Sequence, residues 1–351
     1  MKNLVPGFLT AFFVTWAAIP SIIRIAHLKG LTDVPDFKRK AHEDHTPTLG
    51  GVAIFAALIF SVSFWGLDSD FFELKYFLSS LIIMFFIGIK DDLYHFVYLK
   101  KLAAQLASAV ILVHFGGVRL TSLYRFFGIQ DIPLWASYPL SVFTITVIIN
   151  AFNLIDGVNC LAAGVAGVIS LFYGVWFSLV GYNALALLSF CLLGSLFGFM
   201  IFNRTPARIF MGDTGSLLIG LVIALLTIKF IEFNRVNSGP WHIRSVPAVA
   251  IAILIVPLFD LARVFFIRLR NGKPPMHADR NHIHHRLLDL GFSHMQVAGI
   301  LSGVTALFIA LAVSICTLKA EIVLGVVLGM AVVLTGWVER VYGRNLGTLK
   351  Q

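Results

Sequence analysis

Residues 214–231 read TGSLLIGLVIALLTIKFI, a run in which Lys229 is the one charged side chain. An α-helix of about twenty apolar residues is long enough to cross the hydrocarbon core of a bilayer. Only helices and closed barrels satisfy every backbone amide in lipid, and this run is continuous rather than alternating like a barrel strand. The stretch therefore predicts a transmembrane helix.

The rest of the chain has the same character. Of its 351 residues, 58% are hydrophobic and 13% are charged, whereas soluble domains are about 25% charged. We predict an all-α polytopic integral membrane protein, with residues 1–351 forming a single domain. About eleven membrane spans are predicted, near 4–26, 48–66, 74–89, 101–118, 132–152, 160–180, 182–202, 214–231, 246–267, 296–318 and 320–338.

Lys and Arg are concentrated in the odd-numbered connections between these spans and in the C-terminal tail. Cytoplasmic loops of membrane proteins carry an excess of these residues. The distribution predicts that the odd-numbered connections and the C-terminus face the cytoplasm and that the N-terminus lies outside. The net charge of +9 is then explained by anionic lipid headgroups or a phosphate-rich substrate, without a nucleic-acid partner. The candidate site falls on five of these connections, near 27–47, 90–100, 150–160, 203–216 and 268–294.

The second odd-numbered connection contains two adjacent carboxylates, Asp91 and Asp92, at the end of an apolar helix. Like charges at a membrane boundary are costly unless a cation or a proton compensates them. The pair is therefore predicted to bind a divalent metal or to transfer a proton. A solvated helix end with Lys90 as counterion is the alternative.

The third odd-numbered connection, between the fifth and sixth spans, contains a short polar ladder of Asn150, Asn153 and Asp156, followed by Gly157. Residues three apart are neighbours on a helix, so these side chains form a polar stripe at membrane depth. The stripe is predicted to form part of a site, with packing between helices as the alternative.

In the fourth odd-numbered connection, between the seventh and eighth spans, Asp213 lies between Gly212 and Gly215, just before an apolar helix. The glycines let a ligand approach the backbone, and a carboxylate oxygen suits Mg²⁺, which also bridges to substrate phosphates. We predict a metal ligand at Asp213. An N-capping aspartate is the alternative.

The first and last connections are basic. In the first, Lys38, Arg39 and His42 precede a Gly-Gly pair and are predicted to hold phosphate, unless they form a basic collar facing lipid. The last contains a cluster predicted to recognise phosphate or a base: His282, His284, His285 and Arg286. Zinc is less favoured there because no cysteine or carboxylate completes a tetrahedral set, and an exposed histidine cluster without a ligand is the other alternative.

Carboxylates for a hard cation, amides for hydroxyls and cationic groups for phosphates together indicate phosphoryl transfer. In this order the motifs resemble the polyprenyl-phosphate N-acetylhexosamine-1-phosphate transferases. The resemblance rests on residues 38–51, Asp91-Asp92, residues 150–157, residues 210–216 and residues 282–285.

The resemblance implies that the phosphate of a polyprenyl phosphate attacks the β-phosphorus of a UDP-N-acetylhexosamine and releases UMP. It implies Mg²⁺, with Mn²⁺ as a substitute, at Asp213 with Asp91 and Asp92, one of which also positions or deprotonates the lipid phosphate. It further implies the following roles: Asn153 and Asp156 in the site floor, Lys101 on phosphate, Phe210 on uracil, and His284 and His285 on the nucleotide. Direct displacement is expected, and a covalent aspartyl intermediate is the competing route.

The form His-x-His-His followed by Arg286 is similar to that of enzymes that use UDP-GlcNAc in the first membrane step of a cell-envelope glycan pathway. The phospho-MurNAc-pentapeptide translocase is the alternative, and a proton- or ion-coupled transporter a more distant one. His95 and Asn159 depart from the family pattern. The resemblance also implies the bacterial cytoplasmic membrane, an active site facing the cytoplasm, and a homodimer.

Overall fold

The computed structural model describes residues 2–31, 46–66, 74–94, 96–126, 128–237, 239–274 and 279–348. This part of the chain is mainly helical. Its helices are α1 (Leu4–Lys29), α2 (Gly50–Trp65), α3 (Leu74–Tyr94), α4 (Tyr98–Val110), α5 (Leu134–Ile155), α6 (Leu161–Leu179), α7 (Asn183–Asn203), α8 (Gly212–Val236), α9 (Val246–Ile253), α10 (Ile255–Arg270), α11 (Ile283–Asp289), α12 (His294–Ser314) and α13 (Ala320–Thr348). A π-helical turn, Ile111–Phe115, extends α4.

Seven of the described helices are long and apolar enough to cross a membrane, and α9 with α10 raises the number to eight if this bent pair is one span. All eleven predicted spans fall on helices, but α2 has only 16 residues and α4 only 13 before the π-helical turn. Both are shorter than the roughly 20 residues of a full crossing. A multi-pass helical membrane protein is thus confirmed, whereas eleven spans with the N-terminus outside stay a prediction.

The predicted span 246–267 is broken rather than continuous. Helices α9 and α10 meet at Leu254 with a bend of 78°. Pro257, four residues after Ile253, has no N–H to donate to the Ile253 carbonyl, and its ring clashes with that carbonyl. The proline therefore accounts for the break, which turns α10 toward the last connection.

The prediction of an all-α fold is wrong in the connection before α5. Strands β1 (Ser122–Phe126) and β2 (Ile129–Asp131) form an antiparallel hairpin in which Ser122 pairs with Asp131. Glu232 of α8 anchors the start of the hairpin by accepting hydrogen bonds from the Thr121 N–H at 2.8 Å and from its hydroxyl at 2.5 Å.

Helix α8 lies at the centre of the bundle and packs against α2, α3, α5 and α6. Its most apolar window is 89% buried, against 17% for α1 and α13. A helix that is apolar all round its circumference is favourable when other elements surround it. The stretch 214–231 is thus the core of the fold, and the N-terminus of α8 lies among the ends of its neighbours.

Candidate active site

Four helix ends surround a polar cavity of about 350 Å³. The C-terminal ends of α3 and α5 and the N-terminal ends of α4 and α8 meet there. The cavity is lined by Thr48, Asp91, Asp92, Lys101, Asn153, Asp156, Gly212, Asp213 and Ser216. Residues from three predicted connections, near 90–100, 150–160 and 203–216, therefore lie together.

Glycines allow the backbone of α8 to begin in contact with two other helices. A Cβ atom on Gly51 of α2 would overlap the Gly215 nitrogen, and one on Gly88 of α3 would overlap the Cα atom of Thr214. A larger residue at either glycine would push the helices apart in a close-packed interior. These contacts place the start of α8 against the carboxylate pair at the end of α3.

Asp92 accepts hydrogen bonds from the first turn of α8 with both of its oxygens. Its Oδ1 accepts from the Asp213 backbone N–H at 2.6 Å, and its Oδ2 accepts from the Thr214 N–H at 3.0 Å and the Thr214 hydroxyl at 2.5 Å. N–H groups at a helix start have no partner within the helix and carry partial positive charge. Asp92 therefore joins α3 to α8 and fixes the backbone of Asp213.

The neighbouring Asp91 has different partners. Its Oδ1 accepts from the Phe96 N–H at 2.5 Å, and its Oδ2 lies 3.1 Å from the Lys101 Nζ atom. Lys101 also donates to Asp213 Oδ1, so one ammonium group lies between two carboxylates. Asp91 and Lys101 are each 8% exposed, and this low exposure strengthens the attraction between them.

The predicted polar ladder divides into two parts. Asn153 donates to the Asp213 carboxylate and, at 2.9 Å, to Ser216 Oγ. Asn150, one turn earlier, exchanges two side-chain hydrogen bonds with Gln105 of α4, at 2.7 and 3.3 Å. Asn153 thus faces the cavity and orients Asp213, whereas Asn150 joins α5 to α4.

Asp156 follows the C-terminal end of α5. Burial raises the pKa of Asp156 to about 8, and the negative charges of Asp213 and Asp92 act in the same direction. No hydrogen bond from a described residue offsets this shift. Asp156 has no compensating cation among the described residues, so its carboxyl group is available to a metal, a proton or a substrate group.

Four carboxyl groups and one lysine line the cavity, so acidic groups outnumber cations among the described lining residues. Within the described ranges, no group of three or more His, Cys, Asp or Glu side chains could hold a metal ion by itself. Mg²⁺ does not require such a group, because it keeps several waters and binds through one or two carboxylates plus substrate phosphates. Asp156 and Asp213 fit that mode. Asp91 fits it only when Lys101 moves away from its Oδ2 atom, and both oxygens of Asp92 are engaged with α8.

The histidine cluster lies beside the cavity, against Gly157, which follows the lining residue Asp156. His284 is 2% exposed, and its Nε2 atom lies 2.8 Å from the position that a Cβ atom on Gly157 would occupy. Burial lowers the pKa of His284 to about 3, and the charge of His285 acts in the same direction, so the His284 ring is neutral near pH 7. Its Nδ1 atom is buried without a hydrogen-bond partner among the described residues.

The other members of the cluster are held in different ways. His282 is buried, and its Nδ1 lies 2.8 Å from Asp260 Oδ2. Burial lowers the pKa of His285, whose Nδ1 also has no partner in the part of the chain that the structure describes. The Arg286 guanidinium lies 4.3 Å from the centre of the Tyr342 ring. His282 and Arg286 are thus in contact with other protein side chains, and His284 is the member next to the cavity floor.

Phe210 lies just before α8 and is 37% exposed. Its N–H donates to the Pro47 carbonyl at 2.8 Å, and its ring is outside the lining of the 350 Å³ cavity.

Lys38, Arg39 and His42 lie outside the described residues, so their predicted contact with phosphate stays a prediction.

Sequence reasoning overlooked Thr48, which lines the cavity, and Asp260, which binds His282. Asp260 lies in the apolar run that was assigned to the ninth span. An ionisable residue inside such a run is itself a sign of function, and that signal could have identified Asp260. Thr48 gave no comparable signal, because threonine is common at the ends of helices.

The chain is similar to known proteins over most of its length. A model of glycosyl transferase family 4 matches residues 74–231, which include every cavity residue except Thr48. The chain is 34% identical over 298 residues to a probable undecaprenyl-phosphate N-acetylglucosaminyl 1-phosphate transferase of Bacillus subtilis (strain 168), covering 84% of this chain and 80% of the relative. It is 30% identical to the undecaprenyl-phosphate alpha-N-acetylglucosaminyl 1-phosphate transferase of Escherichia coli O157:H7, covering 83% and 78%, and 31% identical to that of Salmonella typhi, covering 87% and 82%.

Proposed function

The chain belongs to glycosyl transferase family 4, together with the undecaprenyl-phosphate N-acetylglucosaminyl 1-phosphate transferases. We propose that it transfers N-acetylglucosamine 1-phosphate from UDP-N-acetylglucosamine to undecaprenyl phosphate. The observation that carries the proposal is the cavity in which Lys101 lies between Asp91 and Asp213, while Asp156 has no compensating cation in the described part of the chain. An anionic cavity of this kind suits a cation-bound diphosphate.

In the proposed reaction, an oxygen of the lipid phosphate forms a bond with the β-phosphorus of the UDP-sugar. The bond from that phosphorus to the oxygen that bridges the two phosphates breaks, and its electron pair leaves with UMP. A phosphomonoester has a second pKa of about 6, so the lipid phosphate is largely ionised at neutral pH and needs no strong base. Catalysis then consists mainly of positioning and charge neutralisation.

The carboxylates of the cavity fit Mg²⁺, and Mn²⁺ has the same preference for oxygen ligands. Asp213, with Asp91 or Asp156, would hold the ion, which when bound supplies neutralisation of the diphosphate charge. Asn153 keeps the Asp213 carboxylate in place through its hydrogen bond. Lys101 can exchange one of its two carboxylate partners for a phosphate oxygen as substrate enters.

The nucleotide is proposed to lie on the side of the cavity floor that His284 approaches. The Nδ1 atoms of His284 and His285, which have no partner among the described residues, suit a ligand with donors and acceptors such as a uridine phosphate. Phe210, just before α8, is proposed to stack on the uracil. The partial exposure of this residue supports this role.

The protein is proposed to lie in the bacterial cytoplasmic membrane with the cavity facing the cytoplasm. The distribution of Lys and Arg between connections supports this orientation, and the cavity lies at helix ends rather than at the middle of the spans. A soluble UDP-sugar can then meet a lipid phosphate at the membrane surface. The homodimer stays a prediction from the family resemblance.

The test is UMP release by the purified protein in detergent with undecaprenyl phosphate. UDP-GlcNAc, UDP-GalNAc and UDP-MurNAc-pentapeptide are compared, each with Mg²⁺ and with EDTA. We expect Mg²⁺-dependent release with UDP-GlcNAc. Release with UDP-MurNAc-pentapeptide alone would assign the translocase reaction instead, and no release with any UDP-sugar would contradict the proposal.

The route is tested by isotope exchange between UMP and UDP-GlcNAc without lipid. Direct displacement requires both substrates on the enzyme before UMP leaves, so no exchange is expected. Exchange without lipid would show a covalent sugar-phosphate intermediate on the protein.

A further inference from the structure

Asp260 is a buried carboxylate outside the catalytic cavity. It lies on α10, is 4% exposed, and borders an apolar cavity of about 480 Å³ between α10, α11, α12 and α13. A buried charge in such surroundings is costly unless hydrogen bonds and opposite charges satisfy it. Oδ2 lies 2.8 Å from His282 Nδ1, Oδ1 accepts from the Ile283 N–H at 3.0 Å, and Arg263 Nε is 3.9 Å away.

Two other side chains of α10 hold the same segment. Arg263 donates to the Asn281 carbonyl at 2.7 Å. Arg268 forms two contacts with the carboxylate of Asp279, at 3.0 and 3.2 Å. With Asp260, three side chains of one helix thus fix residues 279–283, just before α11. We call this set of contacts the α10 anchor.

The α10 anchor determines where His284 lies. The rings of His282 and His284 are nearly parallel, with centroids 5.5 Å apart and an interplanar angle of 10°. His284 in turn packs against Gly157, beside Asp156 in the cavity floor. A displacement of the His282 ring would therefore move His284 relative to the catalytic carboxylates.

We infer that Asp260 is a positioning residue for nucleotide binding, acting through His282 on His284. Because a carboxylate only accepts, Asp260 requires the proton on His282 Nδ1 and so fixes both the tautomer and the plane of that ring. His282 is then an anchor for the loop, and contact with the UDP moiety falls to His284 and His285. This inference rests on the proposed function.

The test is Asp260→Asn, which keeps the size of the side chain but removes the charge and one acceptor. We expect the KM for UDP-GlcNAc to rise roughly 10- to 100-fold, the range for loss of a charge-assisted hydrogen bond. The KM for undecaprenyl phosphate and kcat should change much less. The Kd for UMP, titrated calorimetrically with the detergent-solubilised protein, should rise by the same factor as the KM for UDP-GlcNAc.

A double-mutant cycle with His282→Gln tests whether Asp260 acts through His282. If it does, the double variant has about the same KM for UDP-GlcNAc as the more impaired single variant. Factors that multiply would overturn the inference. So would an Asp260→Asn protein that loses kcat while both KM values and the Kd for UMP stay at wild-type values, because that is the result of a fold-only role.

Asp131→Asn is the matched control, since it makes the same substitution in an ion pair with Arg235, at 2.8 Å, on the hairpin. Its kinetic constants should equal those of wild type.

If Asp260→Asn cannot be purified folded, Arg268→Lys tests the α10 anchor instead, because it removes the bidentate contact with Asp279. Its KM for UDP-GlcNAc should rise while that for the lipid does not, and an unchanged KM would overturn the inference. A wild-type protein that releases no UMP would contradict the proposed function, whereas an active wild type with Asp260→Asn identical to it would overturn this inference alone.

Discussion

The two ends of α8 are joined to their neighbours by the same pattern of hydrogen bonds, but the charged groups around them differ. At the N-terminal end, Asp92 accepts from the N–H and hydroxyl of Thr214 as well as from the Asp213 N–H. At the C-terminal end, Glu232 accepts from the N–H and hydroxyl of Thr121. In each case a carboxylate receives a backbone N–H and a threonine hydroxyl, so hydrogen bonding alone does not distinguish a site from a structural contact.

The surroundings of these carboxylates do distinguish the two ends. At the C-terminal end, Arg235 donates to Thr121 Oγ1 and to Asp131, both at 2.8 Å, and this pair is largely exposed. At the N-terminal end, four carboxylates and one lysine line a cavity. The N-terminal end is thus distinguished by a cavity in which carboxyl groups outnumber the cations among the described lining residues.

Asp213→Asn should have the largest effect on activity. The variant keeps the size of the side chain but loses the charge that is proposed to hold Mg²⁺, so kcat should fall roughly 10³-fold. UMP release at saturating Mg²⁺ measures the effect. Glu232→Gln is the matched control at the other end of the helix, and an Asp213→Asn protein with wild-type kcat would refute the metal assignment.

Lys101→Met should have the second largest effect. Loss of the ammonium removes the group proposed to contact phosphate, so kcat should fall roughly 10²-fold. The same loss leaves the carboxylates of Asp91 and Asp213 without a cation, so Mg²⁺ should bind more tightly, as measured by the Mg²⁺ dependence of the residual rate. Lys100→Met, at an exposed neighbouring position, should change neither quantity. A Lys101→Met protein with weaker Mg²⁺ binding would contradict this account.

Asp92→Asn should affect stability more than chemistry. It takes an acceptor from the first turn of α8, which should lower the free energy of unfolding by about 1–3 kcal/mol. Activity should fall by less than the roughly 10²-fold that misplacement of a reacting group by 1 Å can cost. Thermal unfolding and UMP release are measured on the same preparation. Unchanged melting with an activity loss equal to that of Asp213→Asn would instead make Asp92 a metal ligand.

The gathering of Asp91, Asp156 and Asp213 could be expected from the sequence, because each lies at the end of an apolar run on the same predicted face. The sequence does not predict that Asp92 binds the start of α8 while Asp91 binds Lys101. This difference depends on which carboxylate faces the start of α8, and that is decided by the close approach of the α3 and α8 backbones at Gly88. The order of Asp91 and Asp92 in the sequence does not indicate which of them lies next to this contact between α3 and α8.

The hairpin and the α10 anchor were missed for a different reason. Hydropathy averaged over twenty residues detects a span, but it hides a single carboxylate such as Asp260 and a break such as the one at Leu254. The residues of the hairpin are few, and strands this short have little periodicity. Both features depend on partners distant in sequence, His282 in one case and Glu232 in the other.

The smallest effect is expected from Glu232→Gln. Asp213 and Glu232 lie about 28 Å apart along the axis of α8, at 1.5 Å per residue. The substitution therefore leaves the cavity unchanged, and kcat and both KM values should stay at wild-type values. The side-chain amide can accept from only one of the two Thr121 donors, which should cost about 1 kcal/mol of stability and lower the melting temperature by roughly 2 °C. Thr121→Val should lower the melting temperature at least as much, since it removes the hydroxyl that donates to Glu232 and accepts from Arg235. If either variant lost activity without loss of stability, the two ends of α8 would be coupled, and charge balance would no longer separate the catalytic end of the helix from the structural one.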